Sequence, residues 1–263
     1  MDVGMIDSLP IWSIYLGLTL CILLSFEVGY QISKLKHISS DTDDSSATNP
    51  MVGALLTMLA FVLAFTFAMA SSQHNARKQN VLDESNAIST AFHRADLVDE
   101  PHKNSIKKLL QEYVDTRLQA VSSFQTGAFK AAINRSVEIQ ELLWNEVALI
   151  AAQEPNANTG LLVRSINDII VIHHKRLNAA LQNRIPSSIW LTLLAISALA
   201  MITMGNQTGL TKSRRLIAVI PLIMAFSALT TVIVDLDRPQ KGMIKVSQQT
   251  MLDLKNSMVK KTQ

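Results

Sequence analysis

The sequence has little of several features that mark common protein classes. Its 263 residues include a single cysteine, Cys21, which excludes an intrachain disulfide. The basic residues form no stripe interleaved with aromatic side chains, so no nucleic-acid partner is indicated. The first residues include Asp2 and Asp7 but no Lys or Arg, unlike the basic start of a secretory signal. We therefore expect the first apolar segment to be retained as a membrane span.

Motifs for catalysis and for cofactor binding are also missing. There is no glycine-rich phosphate loop, no nucleophile elbow and no convergent acid pair. His173 and His174 form the only histidine pair. Adjacent residues on a helix point about 100° apart, and no Cys, Asp or Glu stands beside the pair at ligand spacing. We expect no enzyme activity, no metal site and no cofactor.

Glycine and proline are absent from the 47 residues of segment 54–100. Residues 54–70 carry no charge, whereas residues 73–100 are dense in Arg, Lys, Asp, Glu and His. A run of helix formers without a breaker predicts one helix, which at about 1.5 Å per residue is roughly 70 Å long. The hydrocarbon core of a bilayer is only about 30 Å thick. This helix is therefore predicted to cross a membrane and to project about 40 Å into water.

Four stretches that are nearly free of charge have the length of a transmembrane helix. Buried helices of a large soluble core are the alternative, which four such stretches in one short chain make weak. Trp12, Tyr30 and Trp190 lie near the ends of these stretches, as aromatic rings at the lipid headgroups do. The predicted spans are residues 10–32, 51–72, 186–205 and 216–235.

The polar region between spans two and three is predicted to be a helical bundle. Pro101, Gly127, Pro155 and Gly160 divide it into four segments of similar length, each with apolar residues at helical spacing. Its outer helices are expected to continue into spans two and three, with only Pro186 before span three. The prediction is an all-α protein with a first hairpin at 1–72, an insert at 73–185, a second hairpin at 186–235 and a polar tail at 236–263.

One candidate functional residue, Glu27, lies within the first span. An ionisable side chain in a membrane is costly unless it faces protein or water, which favours a functional role. The alternative is an interfacial glutamate that reaches the headgroups or pairs with Lys34.

Further candidates follow span two. Glu84 shares a helix face with Ile88, while Asn86, Thr90 and Arg94 form a second, polar stripe. Such a stripe favours close packing against another helix, and the alternative is that it lines an ion path at the membrane exit.

The chain after span four carries Asp235, Asp237 and Arg238, followed by Pro239 and Gly242. Two carboxylates and an arginine at a membrane exit could make charge-assisted hydrogen bonds that anchor the tail. The alternative is an ordinary polar end of a helix.

Several of these segments together resemble the bestrophin-like family of bacterial four-span membrane proteins. The resemblance rests on Phe-Glu-Val-Gly-Tyr at 26–30, on residues 63–70, on the block 84–97 that includes Asp96, and on Asp-Leu-Asp-Arg-Pro at 235–239. It implies four spans with a helical insert between spans two and three. The family name also implies distant kinship with the bestrophins, which are pentameric anion channels.

These observations predict a multi-pass protein of the inner or plasma membrane. They favour a homo-oligomer that forms or regulates an ion pathway. The resemblance implies an anion as the ion. The alternative is a non-conducting sensor or scaffold whose insert binds a protein partner. Lys34 and Lys36 in one short loop, and Lys212, Arg214 and Arg215 in the other, place these loops in the cytoplasm by the positive-inside rule. The insert would then lie on the non-cytoplasmic side, although basic residues also flank the spans there.

Overall fold

The structure is a computed structural model that describes residues 9–36, 45–123, 128–210, 216–239 and 242–262. Within these ranges all regular structure is helical, which confirms the predicted all-α fold. The charged residues Lys212, Arg214 and Arg215, on which the predicted orientation depends, lie outside the described residues. The eight α-helices are α1 (Ile11–Lys36), α2 (Ser45–Arg94), α3 (His102–Ser122), α4 (Ala128–Gln153), α5 (Ala157–Leu181), α6 (Ser187–Leu210), α7 (Leu216–Asp237) and α8 (Gln249–Thr262).

Four of these helices are long and apolar enough to cross a membrane. They are α1, α2, α6 and α7, which confirms the four predicted spans. The first span continues as a helix to Lys36, beyond the predicted end at residue 32. The spans expose many large apolar side chains, mainly Leu, Ile, Val, Phe and Met, which suit a lipid-facing surface.

Helix α2 confirms the predicted continuous helix over residues 54–94, and it begins earlier, at Ser45, so that it also includes Pro50 and Gly53. It contains 50 residues and is therefore about 75 Å long. A turn of 3₁₀-helix, Ala95–Leu97, follows it, and Val98 is extended. The chain thus leaves the helical conformation shortly before Pro101.

The second junction between insert and span differs from the prediction. Helix α5 ends at Leu181 and α6 begins at Ser187, so residues 182–186 separate them. Pro186 has no N–H to donate, and a residue that precedes proline disfavours the α conformation. The N–H of Ile185 instead donates to Asp237 Oδ1 at 2.9 Å. Only α2, therefore, is both a span and an insert helix.

The chain divides into two compact units. The membrane unit comprises Met1–Gln73 and Arg184–Ile244, and the insert unit comprises His74–Asn183 and Lys245–Gln263. In the membrane unit α1 packs closely against α6 through glycines. A Cβ at Gly29 would lie 2.0 Å from the carbonyl oxygen of Ile202, and a Cβ at Gly205 would lie 2.0 Å from that of Phe26. Gly205 and Gly209 form a Gly-xxx-Gly pair, which allows two helix backbones to approach.

The insert unit has a core of large apolar side chains. Ile88, Ile106, Leu110, Ile139 and Ile166 represent the four helices that meet there, and all are fully buried. Helix α8 joins this core through Met251, Leu254 and Met258. The C-terminal segment, expected to be a polar tail, therefore carries an apolar face at helical spacing that covers the bundle.

Candidate functional site

A network of charged and polar side chains is buried in the insert unit. Its centre is Glu84 of α2, which has no solvent-exposed surface. Glu84 Oε1 accepts a hydrogen bond from the Tyr113 hydroxyl at 2.7 Å and lies 3.1 Å from Arg117 Nε. Its other oxygen, Oε2, accepts a hydrogen bond from Arg176 Nη1. A carboxylate without water is stabilised here by two guanidinium groups and one hydroxyl.

Tyr113 connects this ion cluster to two further residues. Gln140 Nε2 donates to the Tyr113 oxygen at 3.0 Å, and His173 Nδ1 lies 3.2 Å from the same atom. Because the single hydroxyl proton of Tyr113 is directed to Glu84, its oxygen can only accept a hydrogen bond from His173 Nδ1. This assigns the ring proton of His173 to Nδ1 and leaves Nε2 as an acceptor. Nε2 is buried and has no hydrogen-bond partner among the described residues.

The network holds Tyr113 and His173 in their neutral forms. Burial, followed by the negative charge of Glu84, raises the pKa of Tyr113 well above its ordinary value. Burial and then the positive charge of Arg117 lower the pKa of His173 from 6.5 to about 4. At neutral pH Glu84 therefore faces two cations, Arg117 and Arg176, so the cluster carries one positive charge in excess.

The network links four helices of the insert unit, α2, α3, α4 and α5. Glu84 comes from α2, Tyr113 and Arg117 from α3, Gln140 from α4, and His173 and Arg176 from α5. Arg176 Nη2 also donates to Gln248 Oε1 at 3.4 Å, directly before α8. Buried ionic groups can specify one arrangement of helices. We refer to these six side chains, without Gln248, as the Glu84 network.

The polar stripe of α2 lies partly on the surface. Asn86 and Thr90 are exposed, and the Thr90 hydroxyl donates to the backbone oxygen of Asn86 at 2.9 Å. Arg94 reaches α5, where Nη1 donates to the Leu161 oxygen at 2.8 Å and to Ser165 Oγ at 2.6 Å. The stripe therefore contacts another helix at Arg94.

Asp96 lies apart from the Glu84 network, on the surface. It makes ion pairs with Lys103 at 3.1 Å and with Lys107 at 2.5 Å.

The Asp235–Arg238 element makes hydrogen bonds to the backbone of several other segments of the membrane unit. Asp235 accepts the backbone N–H of Met243 at 3.0 Å and that of Ile244 at 2.8 Å. A Cβ at Gly242 would lie 2.1 Å from Asp235 Oδ1, so a larger residue here would require the Asp235 side chain to move. All three of the predicted residues of this element are buried.

Asp237 and Arg238 bind two other chain segments of this unit. Asp237 Oδ1 accepts the N–H of Ile185, and Arg184 Nη1 donates to the backbone oxygen of Asp237 at 2.6 Å. Arg238 Nη1 donates to the Leu9 oxygen at 2.9 Å. These charged groups mainly bind the backbone.

Glu27 lies in α1, nine residues before the end of that helix at Lys36. It is partly exposed, and Gln31 Nε2 donates to its Oε1 at 2.7 Å. The described residues contain no group of three His, Cys, Asp or Glu side chains that could hold a metal ion.

Comparison with known families identifies the chain. The model of the Bestrophin-like domain matches residues 17–251. The chain belongs to the bestrophin-like family. No curated protein and no solved structure matches it significantly. The matched range of this bestrophin-like protein includes Glu27, the Glu84 network and the Asp235–Arg238 element.

Glu84 is the one residue of this network that the sequence of the bestrophin-like protein predicts as a functional candidate. Tyr113 and His173 lie on the buried faces of α3 and α5, at positions where the helical spacing of apolar residues predicts members of the core. The sequence signal that could have predicted the network is the presence of ionisable residues on the apolar faces of these helices. The sequence does not predict a role for Arg117 or Arg176, because nothing in one sequence shows that two arginines 59 residues apart contact the same glutamate.

Proposed function

We propose that this bestrophin-like membrane protein is a homo-oligomer whose spans form or regulate an ion pathway, with an anion as the first species to test. The observation that carries the proposal is the hydrogen-bonded pair Glu27–Gln31 on the outer surface of α1. Glu27 is partly exposed and Gln31 is exposed in the single chain. Both lie within the span Ile11–Leu35.

A carboxylate and an amide cannot face lipid at low cost. Charged side chains within a span cost roughly 3 kcal/mol or more, and they almost always face protein or a water-filled cavity. Leu20, Leu24 and Val28, close by on the same helix, are exposed and suit lipid or a partner helix. Contact with a second copy of the chain, or with a water-filled path, would remove the cost of exposing Glu27 and Gln31.

The proposal is tested by ion flux into liposomes that contain the purified protein. Chloride and potassium gradients are tested separately, with Glu27→Gln compared with the unchanged protein. The expected result is a flux above that of protein-free vesicles, with a rate or ion preference that changes when the charge of Glu27 is removed.

Glu138→Gln is the matched control. Glu138 is an exposed glutamate of the insert unit, paired with Arg135 at 2.8 Å, and is well outside the spans. Its replacement should leave the flux unchanged. Tight vesicles with the unchanged protein, or equal effects of both substitutions, would contradict a pathway at Glu27.

A non-conducting sensor or scaffold is the second candidate function. The continuous helix α2 favours it, because one helix is both a membrane span and a wall of the water-exposed bundle. This function predicts a protein partner that binds the insert unit, and it predicts no ion flux into liposomes that contain the protein. Crosslinking from exposed insert positions in cells, followed by identification of the crosslinked protein, separates it from the pathway proposal.

We also propose that the insert lies on the non-cytoplasmic side of the inner or plasma membrane. The supporting observation is the excess of Lys and Arg in the short loops, together with an N-terminal flank that has no basic residue. A reporter enzyme fused after Gln263 tests the orientation. Activity confined to the cytoplasm would reverse it.

A further inference from the structure

A polar pocket of about 290 Å³ lies between α2 and α5 of the insert unit. Its volume is just below the range of typical small-molecule sites, about 300–1,000 Å³, which suits only a small ligand. Helix α2 contributes Ala87, Thr90 and Arg94, and α5 contributes Leu161, Arg164, Ser165 and Asp168. All of these residues belong to one unit, and none belongs to the Glu84 network.

The guanidinium group of Arg94 is fixed in this pocket. Both of its hydrogen bonds come from Nη1, to the Leu161 oxygen and to Ser165 Oγ. Ser165 is only 2% exposed, and its hydroxyl in turn donates to Leu161 at 3.0 Å. The Nε and Nη2 groups of Arg94 make no hydrogen bond within the described part of the chain, so they remain available to a ligand.

Arg164 adds a second guanidinium group. It is exposed and makes neither an ion pair nor a hydrogen bond with any described residue, although Asp168 follows one helical turn later. The pocket thus contains two cations and one anion. Guanidinium groups bind carboxylates and phosphates through paired, charge-assisted hydrogen bonds, so this lining favours an oxyanion.

The other polar atoms of the pocket are acceptors. The proton of the Thr90 hydroxyl is donated to the Asn86 oxygen, which leaves the Thr90 oxygen free to accept. The Asp168 carboxylate can only accept when ionised. A ligand that satisfies the whole lining therefore combines an oxyanion with a hydroxyl or amino group.

We propose that this pocket binds a small oxyanion, a carboxylate or a phosphate, that also carries a hydrogen-bond donor. Arg94 and Arg164 bind the oxyanion, and Asp168 and Thr90 accept from the donor group. The site lies in the insert unit and does not depend on whether the spans conduct ions.

Calorimetric titration of the full-length protein in detergent tests this site. The probes are inorganic phosphate, acetate and lactate, each at constant ionic strength with chloride as the reference anion. We expect saturable binding of at least one of the three. Lactate should bind more tightly than acetate, because its hydroxyl supplies the donor that the acceptors Asp168 and Thr90 favour. Phosphate without carboxylate binding, or the reverse, identifies the source of the oxyanion.

Three substitutions locate the binding. Arg164→Gln removes one guanidinium from an exposed position without a partner, and it should weaken binding about tenfold or more. Arg135→Gln, the matched control at an exposed arginine of α4, should leave the affinity unchanged. Asp168→Ala should reduce the preference for lactate over acetate, because it removes an acceptor for the lactate hydroxyl.

Two results would overturn the proposal. The first is the absence of saturable binding of all three probes to the unchanged protein. The second is an equal loss of affinity in Arg164→Gln and Arg135→Gln, which would show attraction to net charge rather than to the pocket.

Discussion

The membrane unit and the insert unit join their helices in different ways. In the membrane unit, α1 and α6 approach until their backbones almost touch, and glycines occupy the contact at Gly29 and Gly205. In the insert unit, large side chains such as Ile106, Leu110 and Ile166 fill the core. That core also encloses the ionised Glu84 network.

The difference follows from the two solvents. Lipid is as apolar as a leucine side chain, so helices in a membrane gain little from burying leucine and gain more from close contact between backbones. In water, burial of apolar area drives association at about 25 cal/mol per Å², which favours large side chains. Such a core accepts charge only if each charge is paired, since an unpaired buried charge costs several kcal/mol.

The largest expected effect comes from the buried carboxylate. Glu84→Gln leaves Arg117 and Arg176 buried without a counter-charge, and we expect a loss of about 3–5 kcal/mol in the free energy of unfolding. Unfolding of the purified protein by denaturant, followed by circular dichroism, measures this loss.

Glu112→Gln provides the matched control for that measurement. Glu112 pairs with Arg135 at 2.6 Å, but both side chains are at least 40% exposed. Exposed pairs contribute about 0–1 kcal/mol. Equal losses at Glu84 and Glu112 would show that the insert core does not depend on its buried ion cluster.

The second prediction concerns pH. The pKa of His173 is about 4 in the folded protein and 6.5 when unperturbed, so the unfolded state binds a proton first as the pH falls. The stability contributed by neutral His173 is therefore complete above pH 6.5 and is lost as the pH falls towards 4. The shift corresponds to at most about 3 kcal/mol.

The charged groups around His173 act in both directions. Arg117, His174 and Arg176 oppose a proton on His173, whereas Glu84 favours it. Unfolding measured from pH 7 to pH 4.5 should show a slope that flattens in His173→Gln. Most of the slope should persist in His174→Gln, because His174 is exposed and lowers the pKa of His173 less than burial and Arg117 do. An unchanged slope in His173→Gln would assign the acid sensitivity to other groups.

The third prediction tests the glycine contact of the membrane unit. Gly29→Ala places a Cβ against the backbone of Ile202, which cannot move aside as a flexible side chain does. We expect a loss of about 1–3 kcal/mol, the range for overpacked sites. Reversible unfolding in mixed mild detergent and SDS measures it.

Gly17→Ala, in the same helix, is the control for Gly29→Ala. A Cβ at Gly17 has no neighbour within 4 Å, so alanine should be neutral or should stabilise the helix by up to about 1 kcal/mol. A loss at Gly17 equal to that at Gly29 would show that the effect is not the contact with α6.

Local signals in the sequence predicted most of the fold. The absence of breakers from 54–100 and the four charge-poor stretches depend on neighbouring residues alone, and both match the helices found. The sequence does not predict the break at residues 182–186, because Pro186 is compatible with either the start of a helix or an interruption of one. What decides is the hydrogen bond between Ile185 and Asp237, 52 residues away.

The polar sites are even harder to predict from the sequence, because they depend on contacts between residues that are distant along the chain. Glu84 was recognised on α2, but its partners Arg117, Gln140 and Arg176 come from three other helices. A contact between distant segments depends on how the helices pack, and one sequence without relatives contains no direct sign of it. The Gly-xxx-Gly pair at 205–209 was a local signal that could have predicted close packing of α6.

The smallest expected effect is at Asp96, which the sequence placed in the same family block as Glu84. Asp96 is 42% exposed and pairs with Lys103 and Lys107 across a short turn. Water already solvates the Asp96 carboxylate, so Asp96→Asn should lower the free energy of unfolding by less than about 1 kcal/mol. Added salt should shrink the difference further, because it screens exposed pairs. A loss as large as that of Glu84→Gln would mean that residue type and block membership, rather than burial, set the cost of removing a carboxylate from this bundle.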